Sequence, residues 1–303
     1  MSIIMNNNII NKVIQGDTLT EIKKIENNII DLSITSPPYN KQEKHKGWLV
    51  KNVKYDSIRD IKTEEDYQDN QIEVLNEIFR VTKDGGAFFY NHKIRWEKGR
   101  MIHPMEWLQK TKWTIRQEII WNRMIAANIR GWRFWQVEER IYWLYKPINN
   151  NKIGKELESK HALLTSIWRF PPERNNEHPA PFPLILPTRI IYSILNSEDG
   201  IVLDPYCGSG TTLVAAKLLD KKYVGIDISN EYINTSKHRL ENAILEKKIV
   251  DKELHKHIVN KTFKERKRNG ENTGKFRNNK NDLFPEYNKQ EKEMAKQLKM
   301  FEK

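Results

Sequence analysis

Two closely spaced glycines follow an apolar run in the second half of the chain, within the motif DPYCGSGTT of residues 204–212. Gly208 and Gly210 allow a tight turn and let the backbone approach a ligand closely, where a Cβ atom would collide. A helix predicted to begin at Thr211 would offer free backbone N–H groups to a polar or anionic ligand. The spacing differs from the dinucleotide-binding G-x-G-x-x-G motif, and no lysine follows as in a phosphate-binding P-loop. The motif therefore predicts a ligand site at a strand-to-helix turn.

An acidic residue, Asp227, ends the next predicted strand, in the run YVGID of residues 223–227. A carboxylate in this place can accept hydrogen bonds from two ribose hydroxyls, which favours a ligand that contains a nucleoside. The alternative is a plain strand–helix–strand unit in which the glycines only turn the chain. Strand, glycine turn, helix, second strand and terminal acid occur together here, so we favour the ligand site.

A second motif, TSPPYN of residues 35–40, follows a β-branched run and carries groups suited to a planar substrate. Pro37 and Pro38 lack N–H groups, so the preceding carbonyls are expected to face a cavity rather than a β-ladder. Tyr39 offers a flat face for stacking on a ring. An exocyclic amino group needs two acceptors to turn its lone pair outward, and Ser36 Oγ with the Pro37 carbonyl could supply them. The alternative is a strand-ending turn with a core tyrosine.

Arginines alternate with large aromatic residues in the segment NRMIAANIRGWRFWQ of residues 122–136. Arginine pairs with phosphates and reads guanine edges, while aromatic rings stack on bases that have left the helix. The residues predicted to contact DNA are Arg123, Arg130, Arg133 and Trp132. The alternative is that the tryptophans pack in the core and the arginines merely flank them.

The pattern of apolar residues predicts alternating strands and helices that would position these motifs. Predicted strands cover residues 9–16, 29–35, 87–90, 113–121, 140–145, 200–203 and 222–228. Predicted helices cover residues 18–25, 63–82, 184–195 and 211–219. The alternation indicates an α/β fold with a mostly parallel sheet and helices on both faces. Both motifs would then follow the carboxyl ends of strands, where such sheets bind ligands.

The charge balance favours a polyanionic partner. The 303 residues include 52 Lys and Arg against 40 Asp and Glu, a net charge of +12. Each phosphate contact by a basic side chain releases condensed counterions, so such a protein is suited to nucleic acid. Residues 245–303 hold 17 basic and 10 acidic residues and thus supply +7 of the total. The alternative is that this tail serves only solubility.

One cysteine, Cys207, is present, and it lies inside the glycine motif. A single cysteine excludes an intrachain disulfide framework and a Cys-based structural zinc site, and we predict no metal site. No apolar run reaches the roughly 18 residues of a membrane span, and the first residues do not form a signal peptide. The sequence predicts a cytoplasmic protein without a membrane partner.

The two motifs together resemble those of the amino-group DNA methyltransferases, in which a (D/N/S)PP(Y/F) motif carries catalysis and a glycine motif binds S-adenosylmethionine. The segment HPAPFPLILPTRII of residues 178–191 resembles the cofactor-clasping segment that precedes the glycine motif in that family. TSPPYN comes well before DPYCGSGTT, which is the motif order of the β class. The resemblance covers about residues 10–240 and implies a Rossmann-like, S-adenosylmethionine-dependent methyltransferase fold.

The resemblance also implies roles for individual residues. A base flipped out of the duplex would be held by Ser36, Pro37, Pro38 and Tyr39. The cofactor pocket would be lined by His178, Pro179, Phe182, Asp204, Cys207, Gly208, Gly210, Thr211 and Asp227. Residues 148–177 correspond to the target-recognition region of the β class, and this interval is short. We therefore predict that residues 41–57, residues 130–135 and the basic tail share in sequence readout.

These features predict site-specific methyl transfer from S-adenosylmethionine to an exocyclic amino nitrogen in double-stranded DNA. In the family, the position of Ser36 is Asp in most adenine enzymes and Ser in many cytosine enzymes. Asn40 resembles the adenine enzymes, which are the larger group, so we favour adenine-N6 with cytosine-N4 as the alternative. Rival classes are a methyltransferase acting on RNA or protein and a non-catalytic DNA-binding module. The second would not need Asp227 together with the glycine turn.

The predicted organisation is a catalytic methyltransferase domain at residues 1–244, with an inserted target-recognition segment at about 148–177. A basic, partly flexible tail follows at residues 245–303. The predicted partners are double-stranded DNA and a cognate restriction endonuclease that acts as a separate protein. A homodimer is compatible with the sequence.

Overall fold

Ten strands and seven helices are present in the parts of the chain that the computed structural model describes, residues 9–40, 62–126, 131–148, 165–173, 182–195, 199–257 and 268–270. The strands are β1 (Lys12–Gln15), β2 (Ile30–Thr35), β3 (Thr82–His92), β4 (Arg95–Glu97), β5 (Arg100–Ile102), β6 (Thr114–Asn122), β7 (Glu138–Tyr145), β8 (Ile167–Arg169), β9 (Ile201–Asp204) and β10 (Lys222–Asp227). The helices are α1 (Thr18–Ile22), α2 (Glu64–Val81), α3 (Met105–Leu108), α4 (Ile185–Ile194), α5 (Thr211–Leu218), α6 (Asn230–Glu241) and α7 (Lys247–His257).

Eight of these strands form one sheet in the order β1-β10-β9-β2-β3-β7-β6-β8. Neighbouring strands run parallel except at β7, which is antiparallel to both β3 and β6. The strands β4 and β5 pair with each other as a small antiparallel hairpin. The predicted α/β fold with a mostly parallel sheet is confirmed.

Helices cover both faces of the sheet, each over its own apolar core. One core joins α4, α5 and α7 to the sheet through Ile190, Leu213 and Val250. The other core joins α1 and α2 to the opposite face through Ile22 and Leu75. In β3 and β7, alternate buried residues belong to the two cores, as the two-residue period of a strand requires. None of the described helices is long and apolar enough to cross a lipid bilayer.

The helix predicted at residues 63–82 forms as α2. Thr63 is its N-cap, and Thr63 Oγ1 accepts a 3.1 Å hydrogen bond from the backbone N–H of Asp66. The first turn is acidic, which suits the positive end of the helix dipole. Val74 and Ile78 are buried one helical turn apart, so the helix turns one apolar stripe towards the sheet.

Strand β3 is longer than the sequence prediction of residues 87–90. It begins at Thr82 and ends at His92. The apolar pattern stops at Tyr90, but Asn91 and His92 are also buried where they pair with β7. Polar side chains are usually read as the end of a strand, so the pattern alone could not indicate this extension.

A short strand, β8, lies within the predicted target-recognition segment of residues 148–177. It pairs in parallel with β6 at the edge of the sheet. Trp168 and Phe170 are buried in the core beside it. Residues 149–164 and 174–177 lie outside the described residues, so the role of this segment stays a prediction.

Helix α7 lies within the range predicted as a basic, partly flexible tail, residues 245–303. Val250 is buried in the core, and Glu253 forms a buried ion pair with Arg189 of α4, with Oε1 and Nε 2.7 Å apart. This part of the predicted tail is a helix packed on the α/β core. Apart from residues 268–270, the remainder lies outside the described residues, and the division at residue 244 stays a prediction.

Candidate active site

The two sequence motifs meet at the carboxyl ends of neighbouring strands. Strands β2 and β9 pair in parallel, with Leu32 opposite Val202. The chain leaves β2 towards β3 on one side and leaves β9 towards β10 on the other, so a crevice opens between the two connections. Thr35 Oγ1, at the end of β2, donates a 2.7 Å hydrogen bond to Asp204 Oδ1, at the end of β9. This bond joins the TSPPYN motif directly to the glycine motif.

Asp204 is buried and anchors the junction through both carboxylate oxygens. Thr212 Oγ1 donates to Oδ2 at 2.6 Å, and the backbone N–H of Tyr206 donates to Oδ1 at 3.2 Å. Burial raises the pKa of Asp204 to about 6, because these hydrogen bonds offset only part of the lost solvation. Asp204 therefore acts as a fixed acceptor beneath the two loops.

Replacing Asp204 by asparagine should change how stability depends on pH. The pKa of Asp204 is raised in the folded chain, so its contribution to stability is complete below pH 3.8 and is lost as the pH rises through 6. Asparagine does not titrate. We expect the stability of the wild type relative to Asp204→Asn to fall by about 2 kcal/mol between about pH 4.5 and about pH 7.5.

Urea unfolding at both pH values measures this difference. The matched control is Asp220→Asn, because Asp220 is exposed in the turn before β10. A difference between wild type and Asp204→Asn that does not change with pH would contradict the raised pKa.

The glycine turn has a backbone conformation that favours glycine, and α6 braces it. Gly210 has a φ angle of +79°, and a Cβ atom there would lie 2.6 Å from Ser236 Oγ. Ser236 Oγ donates to the carbonyl of Gly208 at 2.7 Å, and Arg239 Nη1 donates to Thr211 Oγ1 at 2.8 Å. Because the N-cap is a glycine, no side chain caps the first turn of α5. The backbone N–H groups of that turn remain suited to a ligand.

Asp227 ends β10 beside this turn, and the backbone fixes its carboxylate. The N–H of Gly208 donates to Oδ2 and the N–H of Ser229 donates to Oδ1, each at 2.9 Å. Burial raises the pKa of Asp227, and the backbone hydrogen bonds oppose that rise. Each carboxylate oxygen has a second lone pair, so the group can accept further hydrogen bonds from a ligand.

Two other residues predicted to line the cofactor pocket, Cys207 and Phe182, are buried. Cys207 packs beneath the glycine turn against Gly225 of β10. Burial raises the pKa of its thiol well above the usual range, which suits packing rather than nucleophilic attack. Phe182 belongs to the apolar core just before α4. The predicted His178 and Pro179 lie outside the described residues.

The loop after β2 brings Ser36 and Tyr39 into a buried polar network. The Tyr39 hydroxyl lies 2.5 Å from Ser36 Oγ and donates to Glu139 Oε2 at 3.2 Å. Asn91 Nδ2 lies 3.3 Å from Ser36 Oγ, 3.0 Å from Tyr39 Oη and 2.9 Å from Glu139 Oε2. Arg123 Nη1 donates to the other oxygen of Glu139 at 3.1 Å. The sheet thus surrounds the motif with polar groups that lie far from it in sequence.

Aromatic residues pack behind Tyr39 and Pro38. The ring centroids of Tyr39 and His92 are 4.6 Å apart. Burial and then the charge of Arg95 lower the pKa of His92 well below its usual range, so the imidazole is neutral. Tyr67 Oη lies 2.8 Å from His92 Nε2 and 2.9 Å from the carbonyl oxygen of Pro38. His92 therefore supports the motif from behind.

Asn40 joins the end of the motif to the start of α2. Its backbone has a φ angle of +49°. Asn40 Nδ2 donates to the carbonyl of Lys62 at 3.1 Å, and the N–H of Lys62 donates to Asn40 Oδ1 at 3.0 Å. Residues 41–57, predicted as a surface loop that shares in sequence readout, lie outside the described residues.

Of the residues predicted to contact DNA, Arg123 lies at the base of the β6–β7 connection. Its backbone N–H donates to the carbonyl of Val137 at 2.8 Å. Its guanidinium is mostly buried and pairs with Glu139, so it contacts the network around Tyr39. Arg130 lies outside the described residues.

The end of the β6–β7 connection, residues 132–135, is an exposed segment that we call the aromatic loop. Trp132, Phe134 and Trp135 are 57%, 98% and 62% exposed, so these residues do not pack in the core. The guanidinium of Arg133 lies 3.9 Å from the ring centroid of Trp96 in β4. This stacking holds the loop against the β4–β5 hairpin on the side of the sheet where Tyr39 lies.

Sequence reasoning missed the contributions of Thr35, Asn91 and Glu139. Thr35 opens the TSPPYN motif, but only its place beside Asp204 shows its function as a donor. Asn91 and Glu139 lie at the ends of apolar strands, and both are buried. A polar residue at the end of a predicted buried strand was the signal that could have found them. Within the described ranges, no group of three or more His, Cys, Asp or Glu side chains could hold a metal ion.

Comparison with known families decides the membership of the chain. The family model for N6 and N4 methyltransferases, described as DNA methylase, matches residues 30–238. The chain belongs to this DNA methylase family. The matched range contains both TSPPYN and DPYCGSGTT, so the predicted membership of the amino-group DNA methyltransferases is confirmed.

Two relatives of this DNA methylase show how far the similarity extends. The type II methyltransferase M.ScaI of Streptomyces caespitosus is 27% identical over 257 residues, which cover 75% of this chain and 80% of that protein. The DNA adenine methyltransferase YhdJ of Escherichia coli (strain K12) is 28% identical over 260 residues, which cover 76% of this chain and 83% of that protein.

Solved structures share the fold of this DNA methylase. The PvuII DNA methyltransferase, described as cytosine-N4-specific, is similar with a TM-score of 0.60 and 18% identity, covering 80% of this chain and 92% of that one. The DNA modification methylase TTHA0409 of Thermus thermophilus, in complex with S-adenosyl-L-methionine, has a TM-score of 0.56 and 23% identity, covering 77% and 96%. The predicted Rossmann-like methyltransferase fold is confirmed.

Proposed function

We propose that this DNA methylase transfers a methyl group from S-adenosylmethionine to an exocyclic amino nitrogen of a base at a specific site in double-stranded DNA. The observation that carries this proposal is the 2.7 Å hydrogen bond between Thr35 and Asp204. It sets the TSPPYN loop against the glycine turn. A base held by the first loop would therefore face a cofactor held by the second.

The residues around the glycine turn fit S-adenosylmethionine. The carboxylate of Asp227 is suited to two ribose hydroxyls, and Gly208 and Gly210 permit close approach of the ligand to the backbone. The uncapped first turn of α5 at Thr211 suits the carboxylate of the methionine part. We propose that the segment from His178 to Phe182 closes the pocket. When bound, the cofactor supplies an electrophilic methyl group on a sulfonium.

The catalytic loop would act by binding and orientation. The target base must leave the helix stack, at a cost of a few kcal/mol. Ser36 Oγ and the Pro37 carbonyl would accept hydrogen bonds from the amino group, and Tyr39 would stack on the base. These contacts turn the nitrogen lone pair towards the cofactor. The rate gain comes from alignment of a weak nucleophile with a good leaving group, and no covalent intermediate with the protein is required.

We propose adenine-N6 as the target. Asn40 after the tyrosine supports it, as does the similarity to the protein named DNA adenine methyltransferase YhdJ. Ser36 favours the second candidate, cytosine-N4, and the structurally similar PvuII enzyme is described as cytosine-N4-specific. Digestion of methylated DNA to nucleosides, followed by mass spectrometry, tests the choice. N6-methyldeoxyadenosine is the expected product, and N4-methyldeoxycytidine would replace our proposal by the second candidate. DNA without added methyl groups would contradict both.

We further propose that the enzyme is the modification partner of a restriction system, with a separate cognate endonuclease. The relatives that bear the name type II methyltransferase support this proposal. Sequencing the methylation pattern of a host that expresses the chain should show one modified sequence. Modification without a defined site would argue against a restriction partner.

The aromatic loop is proposed to contact DNA, with Arg133 and Trp132 as predicted from the sequence. Removing an exposed ring that packs on DNA should cost about 1–3 kcal/mol, by analogy with base stacking. Trp132→Ala and Phe134→Ala should therefore each weaken duplex binding by roughly tenfold, while cofactor binding stays unchanged. Fluorescence anisotropy with a labelled duplex measures the first quantity, and calorimetric titration with S-adenosylmethionine measures the second.

The matched control for the aromatic loop is Leu245→Ala. Leu245 is also an exposed apolar residue, but it lies beyond α6. If Leu245→Ala weakens duplex binding as much as Phe134→Ala does, the aromatic loop is not a specific contact. The same holds if neither loop variant changes the affinity.

A further inference from the structure

An acidic residue from another strand lies beside the catalytic loop, although TSPPYN itself contains none. Glu139 at the start of β7 is buried, and its Oε2 accepts a hydrogen bond from the Tyr39 hydroxyl at 3.2 Å. The two residues are brought together because β3 pairs with both β2 and β7. The carboxylate therefore belongs to the surroundings of Ser36 without belonging to its motif.

The donors and acceptors around Glu139 determine the direction of each hydrogen bond. Arg123 can only donate, and its Nη1 is 3.1 Å from Glu139 Oε1, so that oxygen accepts. Glu139 Oε2 also accepts, and the Tyr39 hydroxyl is the donor. A tyrosine hydroxyl carries a single hydrogen. The 2.5 Å contact between Tyr39 and Ser36 must therefore use the hydrogen of Ser36.

We infer that Glu139 is a positioning residue for methyl transfer, because it turns the Tyr39 and Ser36 hydroxyls so that Ser36 Oγ is an acceptor for the target amino group. This inference rests on the proposed function. A Ser36 hydroxyl free to rotate could point its hydrogen at the amino group, where two donors would oppose each other. With Glu139 in place, the Ser36 hydrogen is held by Tyr39 and the oxygen lone pairs are left for the substrate.

Asn91 gives this network a second feature that points to an incoming donor. Its Nδ2 faces the acceptor Glu139 Oε2 at 2.9 Å, which sets the orientation of the amide. Its Oδ1 is buried without a hydrogen-bond partner among the described residues. A buried carbonyl oxygen without a donor is unfavourable. Because the same amide touches Ser36, an amino group arriving there brings hydrogens to a network that has too few.

Glu139→Gln tests the direction of these bonds with little change in size. Arg123 still requires an acceptor, so the glutamine oxygen faces Arg123 and its NH₂ group faces Tyr39. Tyr39 must then accept and pass its own hydrogen to Ser36, whose hydrogen is left pointing towards the substrate. We expect kcat for DNA methylation to fall about 100-fold, while the KM values for DNA and S-adenosylmethionine change less than about threefold.

The matched control is Glu138→Gln. Glu138 is the preceding residue of β7, and its side chain faces Arg140 rather than the catalytic loop. This variant should keep the kcat of the wild type. An equal loss of kcat in Glu138→Gln and Glu139→Gln would overturn the inference, and so would a kcat of Glu139→Gln within about threefold of the wild type.

A double-mutant cycle separates hydrogen-bond direction from general damage. Tyr39→Phe keeps the ring but removes the link between Glu139 and Ser36, so it should lower kcat about tenfold by itself. In that background, Glu139→Gln should cost little more. Losses that simply multiply would overturn the inference. Should Glu139→Gln fail to fold, Tyr39→Phe alone decides, because full kcat in that variant contradicts the link. A wild type that does not methylate DNA would instead contradict the proposed function.

Discussion

Tyr39→Ala is expected to lose DNA methylation while it still binds S-adenosylmethionine. The Tyr39 ring is proposed to stack on the flipped base, and its hydroxyl bonds Glu139, whereas the proposed cofactor residues Asp204 and Asp227 follow other strands. Loss of one base stack costs about 1–3 kcal/mol, and loss of the aligned geometry adds to it. The rate of a single turnover should therefore fall at least about 100-fold. Rapid-quench methylation assays and cofactor titration measure the two quantities.

Two further tyrosine variants show whether this loss comes from stacking. Tyr39→Trp keeps a flat ring and should retain more activity than Tyr39→Ala. Tyr145→Ala removes a tyrosine from the opposite end of β7, and it should keep the single-turnover rate of the wild type. Full turnover by Tyr39→Ala would contradict the proposed contact with the base. Loss of cofactor binding in Tyr39→Ala would show that the residue stabilises the whole crevice instead.

The two functional loops could be located from the sequence, but their contact could not. Local patterns indicate a strand before TSPPYN and a strand before DPYCGSGTT, and both strands form where predicted. That β2 lies next to β9, however, depends on the strand order of the whole sheet. Many strand orders satisfy the same local pattern, since connections over a sheet differ in length and direction. The hydrogen bond from Thr35 to Asp204 is therefore a property of the tertiary fold.

Buried polar residues mark the other limit of sequence reasoning. Asn91 and Glu139 look like solvent-facing ends of strands, because a polar side chain is usually exposed there. They are buried only because three neighbouring strands bring their partners to one place. Glu253 is a similar case in a helix: the segment around it has few apolar residues and was predicted as a tail. Its buried pairing with Arg189 holds α7 on the core.

Asp227→Asn is expected to weaken binding of S-adenosylmethionine by about 100-fold, with a much smaller effect on kcat at saturating cofactor. Both carboxylate oxygens of Asp227 accept backbone N–H groups, from Gly208 and from Ser229. An asparagine would place its NH₂ group against one of these donors. It would also replace charge-assisted hydrogen bonds to the ribose hydroxyls by weaker neutral ones. Isothermal titration with S-adenosylmethionine measures the affinity directly.

Asp220→Asn is the matched control, because it makes the same chemical change in the exposed turn that leads into β10. It should leave cofactor affinity unchanged. The proposed ribose contact predicts a further distinction: Asp227→Asn should lose most of its preference for S-adenosylmethionine over an analogue that lacks the ribose hydroxyls. In the wild type, that analogue should bind about 100-fold more weakly than the cofactor. If both variants keep that preference, the carboxylate of Asp227 holds the turn through Gly208 and does not read the ribose.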